Sequence, residues 1–406
     1  MKTGMTAGPL ACVLGDMDLV RPLGLAGIRC AVVGPPGGAT AHSRFTAQLI
    51  PWEGGNDGTL VDRLLRFGAA QSQKPVLYME EDAQLLMVSR NRDRLASVFR
   101  LPLADADLVE TLVDKGRFQA MAERLGLPVP RTRRLRPLPG SEAPDLDLRY
   151  PLIVKPLTRR PPWDEIEGLG KAIRLDGHDE LRALWPRLIP VGIELLAQEL
   201  IPGPETRIES HHVYIDAGSA VAGEFTGRKI RTYPVDYGHS TALTITDIDG
   251  EGADVAALGR EIAAKIGLRG VAKFDFKRDP DGRLHLLEIN PRFNLWHHLG
   301  AVAGVNLPAL VQADLTGRPR PAPVQAPVQA PAQAKARPGA CWCHISKDRL
   351  AARESGMPTA RWLAWVARCE AKAIAPDDPM PFLRPKLDRL LARMPSGIRS
   401  ARLVKP

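Results

Sequence analysis

Short apolar runs alternate with helical patterns in the first part of the chain, over residues 10–105. Apolar runs of strand length begin at Ala11, Ile28 and Lys74, and helix-like stretches lie over 60–67 and 83–90. Short buried strands that alternate with helices are typical of a parallel sheet with helices on its faces. The pattern therefore predicts a doubly wound α/β domain.

The pattern then changes to longer strands and fewer helices, which indicates a mixed α+β unit. A helix over 114–125 has Asp114 as a suitable N-cap and carries Phe118, Met121 and Leu125 on one face. The other elements predicted here are strands over 150–155, 193–201, 211–225 and 228–235 and a helix over 254–266.

The composition changes again over 318–338. A Pro/Ala/Gln repeat in this region lacks the residues for a core, so we expect an extended, solvated linker. The following residues, 339–406, contain Trp342, Trp362, Trp365 and a Leu-rich basic stretch. We expect them to form a small helical extension.

Composition and charge limit the class of protein. Of the 406 residues, 44% are hydrophobic and 25% are charged, which suits about two to four compact units. The formal charge of +9 favours anionic ligands such as nucleotides, nucleic acid or a membrane surface, without choosing among them. Five cysteines argue against a secreted disulfide scaffold. We find no signal-peptide pattern and no apolar run near the ~20 residues of a membrane span, and we expect a cytoplasmic protein.

A predicted hairpin carries the most informative side chains. Residues 279–282 read Asp-Pro-Asp-Gly, which favours a type I turn between two strands. Because strand side chains alternate between faces, Asp275 shares a face with Glu288 and Asn290 if the turn sets the pairing. Two carboxylates and an amide oxygen suit Mg²⁺, which also keeps positions for phosphate oxygens. The alternative is a sheet face with ordinary solvated charges.

The string Glu-Ile-Asn-Pro-Arg over 288–292, following a strand that bears an acid, resembles the ATP-grasp superfamily. The resemblance covers about residues 108–317. It implies a preATP-grasp parallel-sheet α/β domain over 1–107 and an ATP-grasp domain over 108–317, whose two α+β subdomains clamp ATP. The linker over 318–338 and a helical, basic C-terminal extension over 339–406 would follow.

The resemblance implies nucleotide-binding roles for three lysines. Lys115 would reach the nucleotide, Lys155 the α- and β-phosphates, and Lys171, in a glycine loop over 167–171, would add charge when the loop closes. A cation at a helix start opposes the helix dipole, and this local conflict at Lys115 supports a functional role. The alternatives are an ordinary surface lysine at 115 and a side chain that only reaches to water at 155.

The segment over 198–205 resembles the part of the family that holds adenine and ribose. Backbone atoms of Glu199 and Ile201 would bond the adenine edge, the Gln198 side chain would help, and Glu205 would accept the ribose hydroxyls. The alternative is an exposed turn built around its Pro-Gly pair. The order of the motifs along the chain favours the nucleotide role.

A further resemblance, of the basic stretch over 225–234 with Arg228, Lys229 and Arg231, is to the subgroup of carboxylate–amine ligases related to D-aspartate ligases. It implies that MgATP, or MnATP, converts a substrate carboxylate into an acyl phosphate and ADP, after which an amine displaces phosphate. The catalytic candidates that would neutralise charge are Arg292, Arg231 and Lys171. Arg231 could also bind the substrate carboxylate through its planar fork. A general base is not identifiable, and His239, His297 and His298 are candidates only.

Other functions stay open at this point. One is an ATP-grasp carboxylase or phosphoryl-transfer enzyme, although the chain has no biotinyl Met-Lys-Met string. The other is a non-catalytic nucleotide-binding module. For the ligase we expect small-molecule partners, namely an amino acid or peptide-like carboxylate and an amine, with a homodimer as an open alternative. We expect no nucleic-acid partner, because the basic residues are not interleaved with stacking aromatics.

Two features near the C-terminus have alternative interpretations. The string Cys-Trp-Cys-His over 341–344 is too tightly spaced for a good zinc site, and we interpret it as an ordinary helix start. The basic Leu/Arg stretch could lie on an anionic membrane. We favour a solvated amphipathic helix that packs on the body of the protein.

Overall fold

The computed structural model describes residues 8–157, 163, 172–235, 238–321, 335–372 and 375–392. The predicted glycine loop over 167–171 and the Pro/Ala/Gln repeat lie outside these ranges. The described strands form a parallel sheet, a small antiparallel sheet and a large mixed sheet.

The first sheet is parallel, as the alternating pattern predicts. Its strands are β1 (Ala11–Leu14), β2 (Cys30–Gly34), β3 (Thr46–Pro51) and β4 (Val76–Met79). Their order is β3-β2-β1-β4, and every neighbouring pair is parallel. The accompanying helices are α1 (Met17–Leu25), α2 (Asp57–Ala69), α3 (Asp82–Arg90), α4 (Arg92–Ala96) and α5 (Ala106–Val113). The pattern missed β3, because it is a mostly exposed edge strand.

Polar side chains fix where several helices begin. The carboxylate of Asp16 accepts from the backbone of Met17 at the start of α1, and the Asn56 side chain accepts from the backbone of Thr59 in α2. Asp114 caps α6 (Lys115–Arg124), as predicted. Each cap satisfies a backbone donor that the first helical turn leaves unpaired.

The second sheet is small and antiparallel. Its strands are β5 (Thr132–Leu135), β6 (Leu152–Pro156), β7 (Ile173–Leu175) and β8 (Leu195–Glu199), in the order β5-β8-β6-β7. Helix α7 (His178–Leu188) covers it through buried Leu181, Leu184, Trp185 and Leu188. The apolar side chains of β6 and β8 thus have a core of their own, separate from that of the first sheet.

The third sheet has seven strands and forms the centre of the molecule. They are β9 (Ile208–Ile215), β10 (Val221–Tyr233), β11 (His239–Thr246), β12 (Gly270–Arg278), β13 (Leu284–Asn290), β14 (Cys341–Cys343) and β15 (Ala371–Lys372). Their order is β13-β12-β9-β10-β11-β14-β15. Helices α8 (Ala253–Lys265), α9 (Trp296–Ala303) and α10 (Leu307–Thr316) follow in sequence.

A turn interrupts the strand that we predicted over 211–225. The carboxylate of Asp216 accepts hydrogen bonds from the backbone of Gly218 and Ala220, and Ser219 has φ of 66°. An aspartate that bonds to backbone groups two and four residues on closes a tight turn, so the chain reverses between β9 and β10. The prediction overlooked this because the flanking apolar pattern continues across the turn.

The C-terminal extension is not purely helical. Its helices are α11 (Ile345–Glu354), α12 (Thr359–Arg368) and α13 (Met380–Ala392), but β14 and β15 continue the central sheet. The helix start predicted over 341–344 is confirmed only at its end: His344 caps α11, whereas Cys341–Cys343 form β14, which pairs with β11 and is buried. Among the described residues, no helix is long and apolar enough to span a bilayer.

The first and third sheets share their apolar cores. On one face of β1, Cys12 and Leu14 belong to the same cluster as Phe274 and Phe276 of β12. On its other face, Val13 belongs to the cluster that contains Trp296 of α9. Because β1 is buried on both faces, the carboxyl ends of β1 and β4 are held against the central sheet.

Candidate active site

A cleft of about 520 Å³ separates the small antiparallel sheet from the central sheet. Side chains from both sheets line it, together with residues of α6 and of the segment after β8. The lining includes eight of the residues that the sequence nominates: Lys115, Lys155, Gln198, Glu199, Ile201, Glu205, Asp275 and Glu288. The structure therefore brings most of the candidate nucleotide residues into one cavity.

The hairpin from β12 to β13 has the predicted register. Asp275 pairs directly with Glu288, while Phe274 and Phe276 point to the opposite face and are fully buried. The turn closes with a hydrogen bond of 3.1 Å from the backbone of Gly282 to that of Asp279. A register shift follows Asp275, so Phe276 pairs with Leu286. The two carboxylates consequently reach the cleft from adjacent strands.

Asp275 is surrounded by hydrogen-bond donors and positive charges. The Lys273 ammonium lies 2.5 Å from its carboxylate, and the Ser210 hydroxyl donates to it. Burial by itself raises the pKa of Asp275, but the charges of Lys273 and Lys229 and the two hydrogen bonds lower it below the usual range. The carboxylate is therefore held anionic, as a metal ligand must be.

Glu288 and Asn290 complete the set of oxygen-bearing groups on the hairpin. The Asn290 amide Nδ2 donates to Glu288 Oε1 at 3.0 Å, and Arg292 Nη2 lies 3.4 Å from Asn290 Oδ1. Glu288 itself is exposed toward the cleft. Two carboxylates and one amide fit a hard divalent cation, provided that the Asn290 amide turns over to present its oxygen. That rotation of a terminal amide is a low-energy change.

Two lysines lie across the cleft from the hairpin. Lys155 Nζ donates to Gln198 Oε1 at 2.9 Å, and Lys115 Nζ approaches the backbone oxygen of Leu157 at 3.3 Å. Burial lowers the pKa of Lys155 to about 8, with Glu288 acting to raise it and Lys115 to lower it. The two cations repel each other, so an anionic ligand between them would be stabilised.

The segment after β8 presents mainly backbone to the cleft. The carboxylate of Glu199 points outward, where it accepts from the backbone of Arg149 and lies 3.6 Å from Arg131. The Gln198 amide is fixed between Lys155 and Thr132. The backbone N–H groups of Glu199 and Leu200 also donate within the protein, to Arg131 and Pro151. The adenine-binding role implied for this segment stays a prediction.

Glu205 lies at the other end of this segment and faces the central sheet. Its carboxylate is 3.8 Å from the Lys277 ammonium, and both line the cleft. The pair is loose enough for other groups to bond to Glu205. Its predicted role as ribose acceptor stays a prediction.

The structure does not place Arg231 in the cleft. Its guanidinium makes two hydrogen bonds to Asp348 of α11, at 2.8 and 2.7 Å, and lies over the ring of Trp365 at 4.2 Å. The cation of β10 that lines the cleft is Lys229. Strand alternation explains the difference, since residues 229 and 231 share a face only where the strand is regular, and β10 has register shifts on both sides of Arg231.

Arg292 lies at the junction of the first and third sheets. Its Nε donates to Asp82 at 2.5 Å and its Nη1 to the backbone oxygen of Glu80 at 2.7 Å. Lys171, the third catalytic candidate, is outside the described residues. Arg292 is thus close to the hairpin through Asn290 but is held by the N-terminal domain.

Sequence reasoning missed a group of acids at the end of the parallel sheet. Asp16 and Glu80 follow β1 and β4, which are neighbours, and the backbone of Asp16 donates to Glu80 Oε2 at 2.8 Å. Burial raises the pKa of Glu80 to about 7; the charges of Asp18 and Asp16 raise it further, while the Asp16 hydrogen bond and Arg292 oppose the rise. Carboxyl ends of adjacent parallel strands form binding crevices, and that rule could have identified both acids.

Comparison with known proteins identifies the fold. The family described as ATP-grasp in the biosynthetic pathway with Ter operon matches residues 244–337, which include the entire hairpin of β12 and β13. The matched residues are therefore similar to ATP-grasp proteins, and they include Asp275 and Glu288.

D-alanine–D-alanine ligases are among the curated proteins to which this chain is similar. That of Neisseria meningitidis serogroup B is 28% identical over 184 residues, which are 44% of this chain and 57% of the relative. That of Pseudomonas entomophila is 25% identical over 221 residues, which are 50% of this chain and 63% of the relative. The chain thus spans somewhat more than half the length of these ligases.

Solved structures match over a longer part of the chain. An ADP complex of N5-carboxyaminoimidazole ribonucleotide synthetase has a TM-score of 0.57 at 16% identity, and the match covers 77% of this chain and 78% of the other. An L-amino acid ligase from Bacillus licheniformis has a TM-score of 0.55 at 16% identity, covering 76% and 74%. At such identities the likeness establishes the fold, and it includes the parallel-sheet domain.

Proposed function

We propose that this chain is an ATP-dependent ligase that activates a carboxylate as an acyl phosphate and couples it to an amine. The observation that carries the proposal is the arrangement of charges in the cleft. Lys115 and Lys155 face a hairpin that presents Asp275 and Glu288, across a cavity of about 520 Å³. Cations opposite a hard-metal site are the arrangement that a triphosphate requires.

The nucleotide would lie along the segment after β8. The peptide groups of Glu199 and Ile201 would bond adenine, Gln198 would assist, and Glu205 would hold the ribose. Lys155 would contact the phosphates: burial lowers its pKa to about 8, and an anion beside the ammonium would offset that cost of burial. Mg²⁺ or Mn²⁺, held by Asp275, Glu288 and Asn290, would supply charge neutralisation when it is bound.

In the first half of the reaction, a substrate carboxylate oxygen attacks the γ-phosphorus of ATP, and ADP leaves. No residue of the protein forms a covalent bond in this step. The chain positions the two anions and reduces their repulsion through Lys155 and Arg292. Arg292 is suitable because it is held by Asp82 and Glu80 beside Asn290.

In the second half, an amine nitrogen attacks the acyl carbon and phosphate leaves. The amine arrives as an ammonium ion at neutral pH and must lose a proton first. Glu80 is the proposed base for this step: its backbone oxygen accepts from Arg292, which also reaches Asn290 of the hairpin, and burial raises the pKa of its carboxyl to about 7. Asp16 and Asp18, which surround it with negative charge, would also favour binding of the ammonium form.

An amino acid or a small peptide-like acid is the proposed substrate class. The support comes from the relatives, which are named as D-alanine–D-alanine ligase and L-amino acid ligase. The partners are accordingly small molecules. A homodimer stays a proposal that no contact in this single chain addresses.

The direct test is ADP release from MgATP against paired panels of acids and amines. The ligase predicts turnover only when a suitable acid and amine are both present, and loss of that turnover in Glu288→Gln. Glu53→Gln is the matched control, because Glu53 is exposed on the first domain, far in sequence from the hairpin.

Two results would contradict the ligase. Turnover that needs no amine with any acid, or that depends on bicarbonate, would indicate a phosphoryl-transfer or carboxylating enzyme. ATP binding without turnover for any pair would indicate a nucleotide-binding module.

A further inference from the structure

Exposed apolar side chains are concentrated in the C-terminal extension. In the described part of the chain, seven large apolar residues are at least two-fifths exposed, and five of them follow residue 339. The five are Leu350, Leu363, Met380, Leu383 and Leu387. The extension is only about a sixth of the chain but carries five of these seven residues, so its surface is more apolar than that of the rest of the protein.

Three of these residues form a stripe on α13. Met380, Leu383 and Leu387 are 42%, 50% and 48% exposed and are spaced three and four residues apart, which places them on one face of the helix. The opposite face carries buried Pro381 and half-buried Phe382. The helix thus packs on the protein through one side and presents the apolar stripe, Met380–Leu383–Leu387, to the outside.

The protein holds α13 in place through the residues just before it. Asp378 accepts from the Ser43 hydroxyl at 2.5 Å and from the backbone of Arg44 at 3.0 Å. Asp377 lies 2.9 Å from Arg21 of α1. These contacts fix α13 on the protein. The apolar stripe therefore stays exposed on its surface.

Positive charge is concentrated in the same part of the sequence. Residues 380–406 contain seven Lys and Arg and one Asp, which gives a formal charge of +6 out of +9 for the entire chain. Within α13, Arg384 and Lys386 flank the stripe on either side, and Arg389 is also exposed. The Lys386 ammonium lies 3.5 Å from the Phe382 ring centre, which keeps the charge near the helix.

We propose that α13 docks on the surface of an anionic phospholipid bilayer. The apolar stripe would enter the boundary between headgroups and acyl chains, while Arg384, Lys386 and Arg389 would bind lipid phosphates. An exposed apolar face flanked by cations fits this surface, since neither burial nor charge alone gives stable binding. A second copy of the chain is a poorer occupant, because pairing through this face would bring two segments of +6 together.

The test is co-sedimentation of the full chain with vesicles. One set consists of phosphatidylcholine alone, and the other of phosphatidylcholine and phosphatidylglycerol in equal parts. We expect binding only to the second set, with loss of binding as salt rises. Lys386→Gln with Arg389→Gln should weaken binding by about fivefold for each charge removed. Leu383→Ser with Leu387→Ser should also weaken it.

Matched controls come from the other exposed leucines. Leu25 and Leu138, 47% and 60% exposed, lie outside the extension, so Leu25→Ser with Leu138→Ser should bind vesicles like the wild type. Circular dichroism of every variant shows whether the fold is kept. The proposal does not depend on the ligase reaction, because the readout is vesicle binding.

Three outcomes would overturn the proposed docking of α13 on a bilayer. One is absence of binding to the anionic vesicles by a folded chain. Another is binding to the anionic vesicles that the α13 variants leave unchanged. The third is a concentration-dependent dimer that Leu383→Ser with Leu387→Ser dissociates, which would show that a second copy covers the stripe.

Discussion

Two arginines of the central region, Arg231 and Arg292, form ion pairs with very different surroundings. The partner of Arg231 is Asp348, whose side chain is 0% exposed and also accepts from Thr241 and Trp362. The partner of Arg292 is Asp82, whose side chain is 48% exposed. The first pair is fully enclosed and its acceptor is saturated, whereas the second lies at the edge of the cleft.

The difference separates a structural role from a chemical one. A buried carboxylate with all its hydrogen bonds made has no capacity left for a ligand, and removing it leaves the arginine unpaired in the interior. A pair that is open to solvent contributes little to stability and can exchange partners when substrate arrives. We therefore expect Arg231 to anchor the extension and Arg292 to act in the cleft.

The largest expected effect is on stability. Asp348→Ala should lower the free energy of unfolding by about 3–5 kcal/mol, since it leaves Arg231 buried without its partner. Urea denaturation measures this change. The ATP affinity of the folded variant should stay near that of the wild type. A large loss of ATP affinity without a loss of stability would show that Arg231 acts in the cleft and does not anchor the extension.

The next largest expected effect is that of Glu80 on how the free energy of unfolding changes with pH. A carboxyl whose pKa is raised from 4.5 to about 7 holds more protons in the folded than in the unfolded chain between these values. The free energy of unfolding should therefore fall as pH rises through this window, by up to about 3 kcal/mol. Glu80→Gln should remove that slope and be the more stable protein at pH above about 7. Denaturation at several pH values measures it.

Glu80→Gln also tests whether Glu80 takes part in the proposed reaction. If Glu80 accepts the proton of the amine, turnover of the wild type should rise with pH through about 7. Turnover of Glu80→Gln should be lower by a factor of about 10²–10⁴ and lack that rise. An unchanged pH profile would assign the proton transfer to another group.

Replacing Lys155 tests whether the cleft binds the phosphates of ATP. Lys155→Met should weaken ATP binding by about 2 kcal/mol, roughly thirtyfold, because it removes a charged hydrogen bond to phosphate. Wild-type affinity should fall as pH rises through about 8, where the lysine loses its proton, and the variant should not show this fall. Calorimetric titration with ATP measures both, and Lys74→Met, on the exposed surface of the first domain, is the control.

The smallest expected effect on stability comes from breaking the solvent-exposed pair of Arg292 and Asp82. Asp82→Asn should change the free energy of unfolding by less than about 1 kcal/mol, because its carboxylate is half exposed. Its effect on turnover should be larger than its effect on stability, since Arg292 would lose the contact that orients it. A stability loss as large as that of Asp348→Ala would remove the distinction between the two arginines.

Local features of the sequence sufficed for the hairpin. Asp279-Pro-Asp-Gly282 fixes the turn, and alternation then places Asp275 beside Glu288 and sends Phe274 to the core. The helix that begins at Lys115 was likewise predictable from its cap, Asp114. For the hairpin and this helix, the deciding interactions join residues that are close along the chain. Alternating apolar runs and helical patterns also predicted that the first sheet is parallel, although its strands pair over longer separations, as Ala11 does with Val76.

The sequence by itself predicted many of the elements, the ATP-grasp resemblance and eight of the residues that line the cleft. Only the tertiary structure decided that Arg231 pairs with Asp348, that Cys341–Cys343 extends the sheet, and that Glu80 meets Asp16 and Arg292. The physical reason is sequence separation: the partners of Arg231 and Arg292 are 117 and 210 residues away. A charge pattern shows that such groups need partners, but burial in the folded core selects which partners they have.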